Sequence, residues 1–194
     1  MATLRWILAF SIAMAAAQPV SAAPRIPDNP GGMPVTLDGS DLNAFARILQ
    51  DAGYRARIKV ADNGTRYIDS AANGVSFTVN FTDCRQGGAC RGIRFFAWWS
   101  RPSSMDSLAV NEWNGGYRIA RAAIDQDDDL VLDYFMSLVG GVATANFLDS
   151  FDWWTVLIGD FRTFMEEKQT KAALAPVKSE EKQGMNAADR NIAG

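Results

Sequence analysis

The sequence predicts a single α+β domain with an antiparallel sheet, and three observations support this prediction. The run from Val75 to Phe81 alternates strictly between apolar and polar residues, and the run from Ile93 to Trp99 is rich in β-branched and aromatic residues. Both patterns are typical of half-buried strands. Other stretches carry apolar residues at helical spacing, and glycine-containing turns separate the segments. The predicted element order over residues 37–168 is α-β-β-β(β)-α-β-β-α.

The first 22 residues predict a secretory signal peptide. One basic residue, Arg5, precedes an apolar run that ends in the small residues Val20-Ser21-Ala22. The alternative, an uncleaved membrane anchor, needs roughly 20 apolar residues, and this run is shorter. We therefore expect cleavage after Ala22, a mature protein in the periplasm and no stable membrane insertion. Residues 23–36, rich in Pro and Gly, are then a linker.

The domain is expected to begin with a helix followed by a strand. Ser40 is the predicted N-cap of the helix, and Gly53 suits its C-terminal end. The strand Tyr54–Val60 carries basic residues on one parity, which is more typical of a solvated face than of an anion site. The Asn63-Gly64 pair predicts a type I′ hairpin turn, and Asn73-Gly74 predicts a second tight turn. The basic stripe consists of Arg55, Arg57 and Lys59.

The central hairpin has a register that two independent features select. If Cys84 faces Cys90 in an antiparallel pair, every apolar residue of the first strand meets an apolar partner on the second. A slip by one residue would move the whole apolar set to the other face, so the cysteines and the pattern agree on one register. The predicted pairs are Phe81 with Ile93, Val79 with Phe95, Phe77 with Ala97, and Val75 with Trp99.

The two cysteines are predicted to form a structural disulfide. Cysteine pairs in exported proteins are usually oxidised, and the five residues between Cys84 and Cys90 are unlike the spacing of a redox C-x-x-C motif. The chain contains no histidine that could complete a metal site. Closing so short a loop contributes about 2 kcal/mol by chain entropy. By parity, the bond is expected on the side of the hairpin opposite the apolar face, and no metal or cofactor is predicted.

The second half of the domain is expected to contain a helix, two strands and an acidic turn. Pro102-Ser103-Ser104 ends the central hairpin and caps a helix that stops at Gly115-Gly116. The strands Tyr117–Ile124 and Leu130–Leu138 follow, joined by Asp125–Asp129. Its aspartates fit the first ligand positions of a calcium loop, but the glycine and the glutamate that such a loop requires are absent. The sequence therefore favours a solvated hairpin turn.

The last predicted element is a long helix that Thr144 caps. Its broad apolar stripe must be buried against the sheet or against a partner. Beyond Lys168 the stripe stops and the composition turns to Ala, Lys, Glu and Gln, so residues 169–194 are predicted to be a disordered tail with at most a fraying helix. The stripe contains Phe147, Phe151, Trp154, Ile158, Phe161 and Met165.

A binding surface is predicted around Phe96 and Trp98, beside Arg94. If Phe95 and Ala97 face the core, these side chains point to the opposite side of the sheet, where polar groups are expected. One interpretation is an intramolecular cover, formed by a helix or by the Ala-rich tail. The other is a surface for self-association or for an unknown protein partner, for which aromatic residues are the usual anchors.

Charge is distributed unevenly along the chain. Residues 47–101 contain nine basic and four acidic residues, whereas residues 102–167 contain three basic and twelve acidic ones. Such an asymmetry indicates either an interaction surface or two halves of one domain that attract each other. The net charge of −3 and the pI of 5.0 argue against nucleic acid as a main partner.

Candidate catalytic groups are few. There is no histidine, the cysteines are expected to be paired, and no serine lies in a G-x-S-x-G elbow. The carboxylates of Asp149, Asp152 and Asp160 lie at helical spacing, but a solvated helix face explains them as well. We therefore predict a non-catalytic protein-binding or regulatory module. The alternative is a periplasmic carrier of a small apolar ligand, suggested by six Trp and eleven Phe residues.

Four segments of the chain resemble the YbjN family. They are SAANGVSFTVNFTDC (70–84), CRGIRFFAWW (90–99), VNEWNGGYRIARAAID (110–125) and ANFLDSFDWWTVLIGDF (145–161), which together cover nearly the whole domain. The resemblance implies a type III secretion chaperone-like fold and a sensory-transduction or regulatory role. It brings no catalytic residues. An exported member departs from the cytoplasmic setting of secretion chaperones.

Overall fold

The computed structural model describes residues 36–86, 89–117 and 119–175 of the 194-residue chain. The elements in chain order are β1 (Thr36–Leu37), α1 (Leu42–Asp51), β2 (Arg55–Val60), β3 (Arg66–Ala72), β4 (Val75–Cys84), β5 (Cys90–Ser100), α2 (Ser107–Gly116), β6 (Arg121–Ile124), β7 (Asp129–Ser137), β8 (Val142–Ala143) and α3 (Thr144–Leu174). The predicted signal peptide, the linker up to residue 35 and the tail beyond residue 175 lie outside the described residues.

Six strands form one antiparallel sheet in the order β2-β3-β4-β5-β7-β6. The first four follow one another by hairpins, whereas β7 lies between β5 and β6. The short strands β1 and β8 form a separate two-stranded pair next to the start of α3. The α+β class and the antiparallel sheet are therefore as predicted.

All three helices pack on the same face of this sheet. In α1, Phe45 contacts Phe81 of β4 and Phe147 of α3. In α2, the fully buried Trp113 contacts Phe161 of α3 edge to face. Aromatic rings that interlock at such angles fill the space between the two layers and leave one dominant core.

The apolar stripe of α3 lies against the middle of the sheet, as the sequence predicts. The indole of Trp154 packs on the rings of Phe77 and Phe95, and the ring of Phe161 contacts Trp99. These contacts bury one face of the sheet and leave its other face without a helix from the described residues.

The register of the central hairpin is confirmed. Cys84 pairs with Cys90, Phe81 with Ile93 and Val79 with Phe95. The four apolar side chains are buried on the helix side of the sheet. The two cysteines, at the strand ends, are less buried. The agreement arises because an alternating strand that buries one face can satisfy that face in only one register.

The two predicted Asn-Gly turns differ from each other. Asn73 and Gly74 both have positive φ angles, 51° and 76°, as a type I′ turn requires, so the tight turn between β3 and β4 is confirmed. At Asn63-Gly64 only the glycine has a positive φ, and the connection is a longer loop closed by the Ala61 N–H donating to the Thr65 carbonyl. The type I′ prediction was wrong there because the strand pairing already ends at Val60.

Aspartates, and not serines, cap the first two helices. The Asp41 carboxylate accepts the Asn43 N–H, and the Asp106 carboxylate accepts the N–H groups of Leu108 and Ala109. The predicted cap Ser40 and the predicted capping segment Pro102-Ser103-Ser104 lie outside these helices. A carboxylate also interacts with the positive end of the helix dipole, which favours aspartate when both residue types are available.

The long helix α3 differs from the prediction at both ends. Thr144 is its first residue, and Ala143 occupies the cap position. At the other end α3 continues to Leu174, so residues 169–174 belong to the helix and not to a disordered tail. Lys168 explains part of this extension, since it pairs with Glu112 of α2 and lies over the ring of Phe164.

The edge strand β6 is protected by side chains of α2. The amide of Asn114 donates to the Ala122 carbonyl at 3.0 Å and accepts the Ala122 N–H at 2.9 Å, as a neighbouring strand would do. The Trp113 indole donates to the Ala120 carbonyl just before the strand. The strand begins at Arg121 and not at Tyr117, because α2 binds the preceding backbone.

Candidate functional site

The sheet face opposite the helices is left uncovered by the described elements, and we call it the open face. In its centre Trp98 of β5 is 54% exposed and Phe135 of β7 is 58% exposed. Large aromatic side chains at this exposure are unusual on a monomer that has no partner. The open face is lined by Arg55, Arg57 and Lys59 of β2, Asp69 of β3, Thr78 and Asn80 of β4, Arg94, Phe96 and Trp98 of β5, Asp129, Asp133 and Phe135 of β7, and Arg121 of β6.

Strand β5 arranges the three predicted surface residues in a row. The Arg94 guanidinium lies 4.4 Å from the centre of the Phe96 ring, a cation–π contact. The Phe96 ring is 6.4 Å from that of Trp98, and their planes differ by only 17°. Alternate residues of a strand point to the same side, so this row could be predicted once the core parity was known.

Phe135 extends the aromatic row onto the next strand, and the sequence reasoning missed it. Its ring lies directly over Gly92, where an added Cβ would be 2.4 Å from a ring carbon. A glycine at position 92 is therefore needed for the ring to lie flat on the sheet. The available signal was the alternation along β7, in which Leu130 and Leu132 face the core and Asp133 and Phe135 face away.

A carboxylate lies beside the aromatic row and binds two arginines. Asp133 accepts hydrogen bonds from Nε of Arg94 at 2.9 Å and from Nη2 of Arg121 at 2.9 Å. Burial opposes the ionisation of this carboxyl, but the hydrogen bonds and charges of Arg121 and Arg94 outweigh it, so the pKa of Asp133 lies below its ordinary value. The ion pairs hold Arg94 against the Phe96 ring.

Positive charge dominates the open face as a whole. On β2 the predicted basic stripe lies on an exposed strand face, with Arg55 and Lys59 at 3.5 and 3.6 Å from the carboxylate of Asp69. The face carries five basic side chains, namely Arg55, Arg57, Lys59, Arg94 and Arg121, against three acidic ones, Asp69, Asp129 and Asp133, which is a balance of +2. Three carboxylates cannot neutralise five cations, so the face attracts negative groups.

Opposite charges also attract within the domain, which is one of the two interpretations of the charge asymmetry. Arg94 pairs with Asp133, and Arg101 pairs with Asp128 in the acidic turn at 2.7 Å. In the same turn the Asp125 carboxylate accepts the N–H groups of Asp127 and Asp129. These aspartates therefore bind groups of the protein, as expected for a hairpin turn.

The sulfur atoms of Cys84 and Cys90 are 2.05 Å apart, at the bonding distance of a disulfide. The Cys90 N–H donates to the Gly39 carbonyl, which ties the end of the hairpin to the segment before α1. Cys90 packs against the core, and both cysteines line a cavity together with the core residue Phe81. This side differs from the predicted one because Asp83, with a φ of 54°, interrupts the alternation just before Cys84.

Two cavities in the described part of the chain are open to solvent, and polar or charged residues take part in lining both of them. One, of about 560 Å³, lies under the start of α1 next to the disulfide, and polar residues such as Asn43, Thr65 and Arg66 line it. The core aromatic side chains pack against each other instead of enclosing a chamber. This arrangement gives no support to the alternative of an apolar-ligand carrier.

The remaining chemistry of the described residues is limited. Asp149, Asp152 and Asp160 are exposed on α3, and no group of His, Cys, Asp and Glu residues in the described ranges is arranged to hold a metal ion. Within residues 36–86, 89–117 and 119–175, no helix has the length and hydropathy needed to span a membrane. The open face is therefore the best candidate for a functional site.

Comparisons with known proteins match the chain to a protein family and to a solved structure. The family model of YbjN, described as "Putative bacterial sensory transduction regulator", matches residues 41–167. Among solved structures, the crystal structure of YbjN, described as a putative transcription regulator from E. coli, is similar with a TM-score of 0.44 and 20% identity, covering 69% of this chain and 93% of that chain. A search of curated proteins found no match.

Proposed function

The chain belongs to the YbjN family, whose members are described as regulators, and we propose that it is a non-catalytic regulatory module that binds a protein segment on its open face. The observation that carries this proposal is the exposure of Trp98 and Phe135, at 54% and 58%, in the centre of a sheet face without a covering helix. Exposed aromatic and arginine side chains that lie together are the usual anchors of protein interfaces.

The chemistry of the open face indicates what kind of segment it binds. Basic side chains lie on both sides of the aromatic row, on β2 and at Arg121 of β6. A segment with apolar residues in its middle and acidic residues around them would match this pattern. Charge complementarity would speed its association and would reject basic partners.

A selection experiment tests this function. A displayed library of random peptides is selected on the mature wild-type protein, and the selected peptides are then measured on Trp98→Glu and on the control Leu108→Glu. Leu108 is 77% exposed on α2, away from the open face. Both substitutions replace an exposed apolar side chain, so each should change the free energy of unfolding by less than about 1 kcal/mol.

We expect the selected peptides to be rich in acidic and aromatic residues. They should bind the wild type and Leu108→Glu with equal affinity and Trp98→Glu at least tenfold more weakly, because a desolvated aromatic anchor contributes about 2 kcal/mol or more. Peptides that bind Trp98→Glu as tightly as the wild type would contradict the proposal. A large loss of stability in Trp98→Glu would assign this residue to the core instead.

We further propose that the protein acts in the periplasm. The sequence of residues 1–22 supports export, and the bonded pair Cys84–Cys90 suits an oxidising compartment. Amino-terminal sequencing of the protein from a native host should find Ala23 as the first residue. If most molecules retain Met1, the proposed location is wrong, although the binding function could still stand.

A further inference from the structure

The solvent side of α3 carries a second exposed surface with the opposite charge, which we call the outer stripe. It consists of Asp149, Asp152, Trp153, Val156 and Asp160. These positions differ by three or four residues, so they form one stripe along the helix. Trp153 is 49% exposed and Val156 is 46% exposed, and the three aspartates surround them.

The outer stripe and the open face are complementary in chemistry. The stripe places two apolar side chains between acidic ones, whereas the open face places Phe96, Trp98 and Phe135 between basic ones. The stripe contains three carboxylates and no cation, and the open face has a balance of +2. Contact between them would pair opposite charges at the rim and would remove exposed aromatic surface from water.

Their dimensions are also compatible. The twelve residues from Asp149 to Asp160 span about 16 Å along a helix, at about 1.5 Å for each of the eleven steps. The five steps between β2 and β6 span about 24 Å across the sheet. A helix that crosses the strands with Trp153 over the aromatic row would therefore bring its terminal aspartates towards the basic side chains on either side.

The two surfaces lie on opposite sides of the same molecule, because α3 covers one face of the sheet and the open face is the other. They cannot meet within one chain. We propose that they meet between copies: the outer stripe of one molecule docks on the open face of the next, so that copies stack head to tail. Each contact repeats the helix-on-sheet packing that α3 makes within its own chain.

A symmetric pairing of two open faces fits the charges less well. It would bring two surfaces of balance +2 together, and like charges repel across an interface. The two modes predict opposite effects of salt. Stacking should weaken when salt screens the attraction between unlike charges, whereas symmetric pairing should strengthen.

The stacking inference shares the open face with the proposed function and names one occupant of it, a second copy of the chain. Stacking would hide the face from other partners, so binding of an acidic peptide and self-association should compete. Because an open head-to-tail contact does not close on itself, the wild type should form a series of growing species instead of stopping at a dimer.

Sedimentation velocity of single and mixed variants tests the stacking mode. Trp98→Glu removes the open-face anchor, Trp153→Glu removes the stripe anchor, and Leu108→Glu is the control. Val156→Glu provides a second stripe variant in case Trp153→Glu fails to fold. In the wild type and the control, the mean mass should rise with concentration and fall with added salt.

Each anchor variant alone should stay monomeric at every concentration. An equimolar mixture of Trp98→Glu and Trp153→Glu should form dimers and nothing larger, since the intact stripe of the first fits the intact face of the second. A wild type that is monomeric throughout overturns the inference, as does a mixture without dimers. If only Trp98→Glu loses association, the open faces pair symmetrically and the stripe plays no part.

The two proposals can fail separately. Trp153→Glu leaves the open face intact, so it should still bind the peptides selected on the wild type. If it binds them but self-associates like the wild type, the stacking inference is wrong and the proposed function stands. If it self-associates less but no peptide distinguishes Trp98→Glu from the wild type, the face serves self-association alone.

Discussion

At the scale of single residues, the open face depends on a few side chains that hold each other in place. Asp133 fixes Arg94 and Arg121, and Arg94 lies in turn on the Phe96 ring. Gly92 leaves space for the ring of Phe135. These contacts restrict the rotamers of the exposed groups before any partner arrives, which lowers the entropy that binding would cost.

The ion pairs of Asp133 predict a pH dependence of stability. Its pKa is lowered in the folded protein, so the carboxylate stabilises the fold at pH values above its unfolded pKa of about 3.9. This contribution is lost as the pH falls through the folded pKa. Asp133→Asn should therefore reduce the stability at pH 7 by about 1 to 2 kcal/mol.

Thermal unfolding followed by circular dichroism at a series of pH values measures this effect. The difference in melting temperature between Asp133→Asn and the wild type should shrink from pH 5 downwards and approach zero near pH 2. Asp127→Asn, in the exposed acidic turn, is the control for the loss of one negative charge. A difference that is equal at pH 7 and pH 2 would mean that the asparagine acts through packing and not through charge.

At the scale of elements, the predictions from the sequence were most accurate where a single physical constraint was strong. The alternation in β4 and the two cysteines determine one register, and the apolar stripe of α3 determines which side of that helix is buried. Helix starts were less predictable because several capping residues stand close together. Ser40 lies next to Asp41, and Ser104 is two residues from Asp106, so competition between neighbours decided the cap.

The side-chain cap on the edge of β6 gives a prediction for a single element. Asn114 satisfies both the N–H and the carbonyl of Ala122, and Asn114→Ala would leave these backbone groups to water. We expect a loss of about 1 kcal/mol in unfolding free energy, measured by chemical denaturation. Asn111→Ala, at an exposed position of the same helix, should change it far less. Equal effects of both substitutions would show that only helix propensity is involved.

At the scale of the whole molecule, the sequence predicted the layers but not the extent of the open face. Phe96 and Trp98 could be assigned to it from the hairpin alone. Phe135 could not, because its place beside Arg94 depends on β7 lying between β5 and β6, and the order of these strands does not follow their order in the chain. The sequence alone also could not decide whether Phe96 and Trp98 are covered within the chain or are free for a partner. That choice depends on the positions of the three helices.

The molecule thus presents two complementary surfaces, one on each side of a two-layer domain. The layer of helices is negative and partly apolar outside, and the sheet is positive and aromatic outside. A regulatory protein built in this way can respond to concentration, to salt and to acidic partners through one face. The central claim is that this face binds protein.

Photo-crosslinking in living cells measures that claim most directly. A photoreactive benzoylphenylalanine replaces Trp98 in one strain and Leu108 in another, and covalent products are separated by mass after irradiation. We predict discrete products at position 98, either with a second copy of the chain or with a heavier partner, and none at position 108. No product at position 98, or the same products at both positions, would contradict the account.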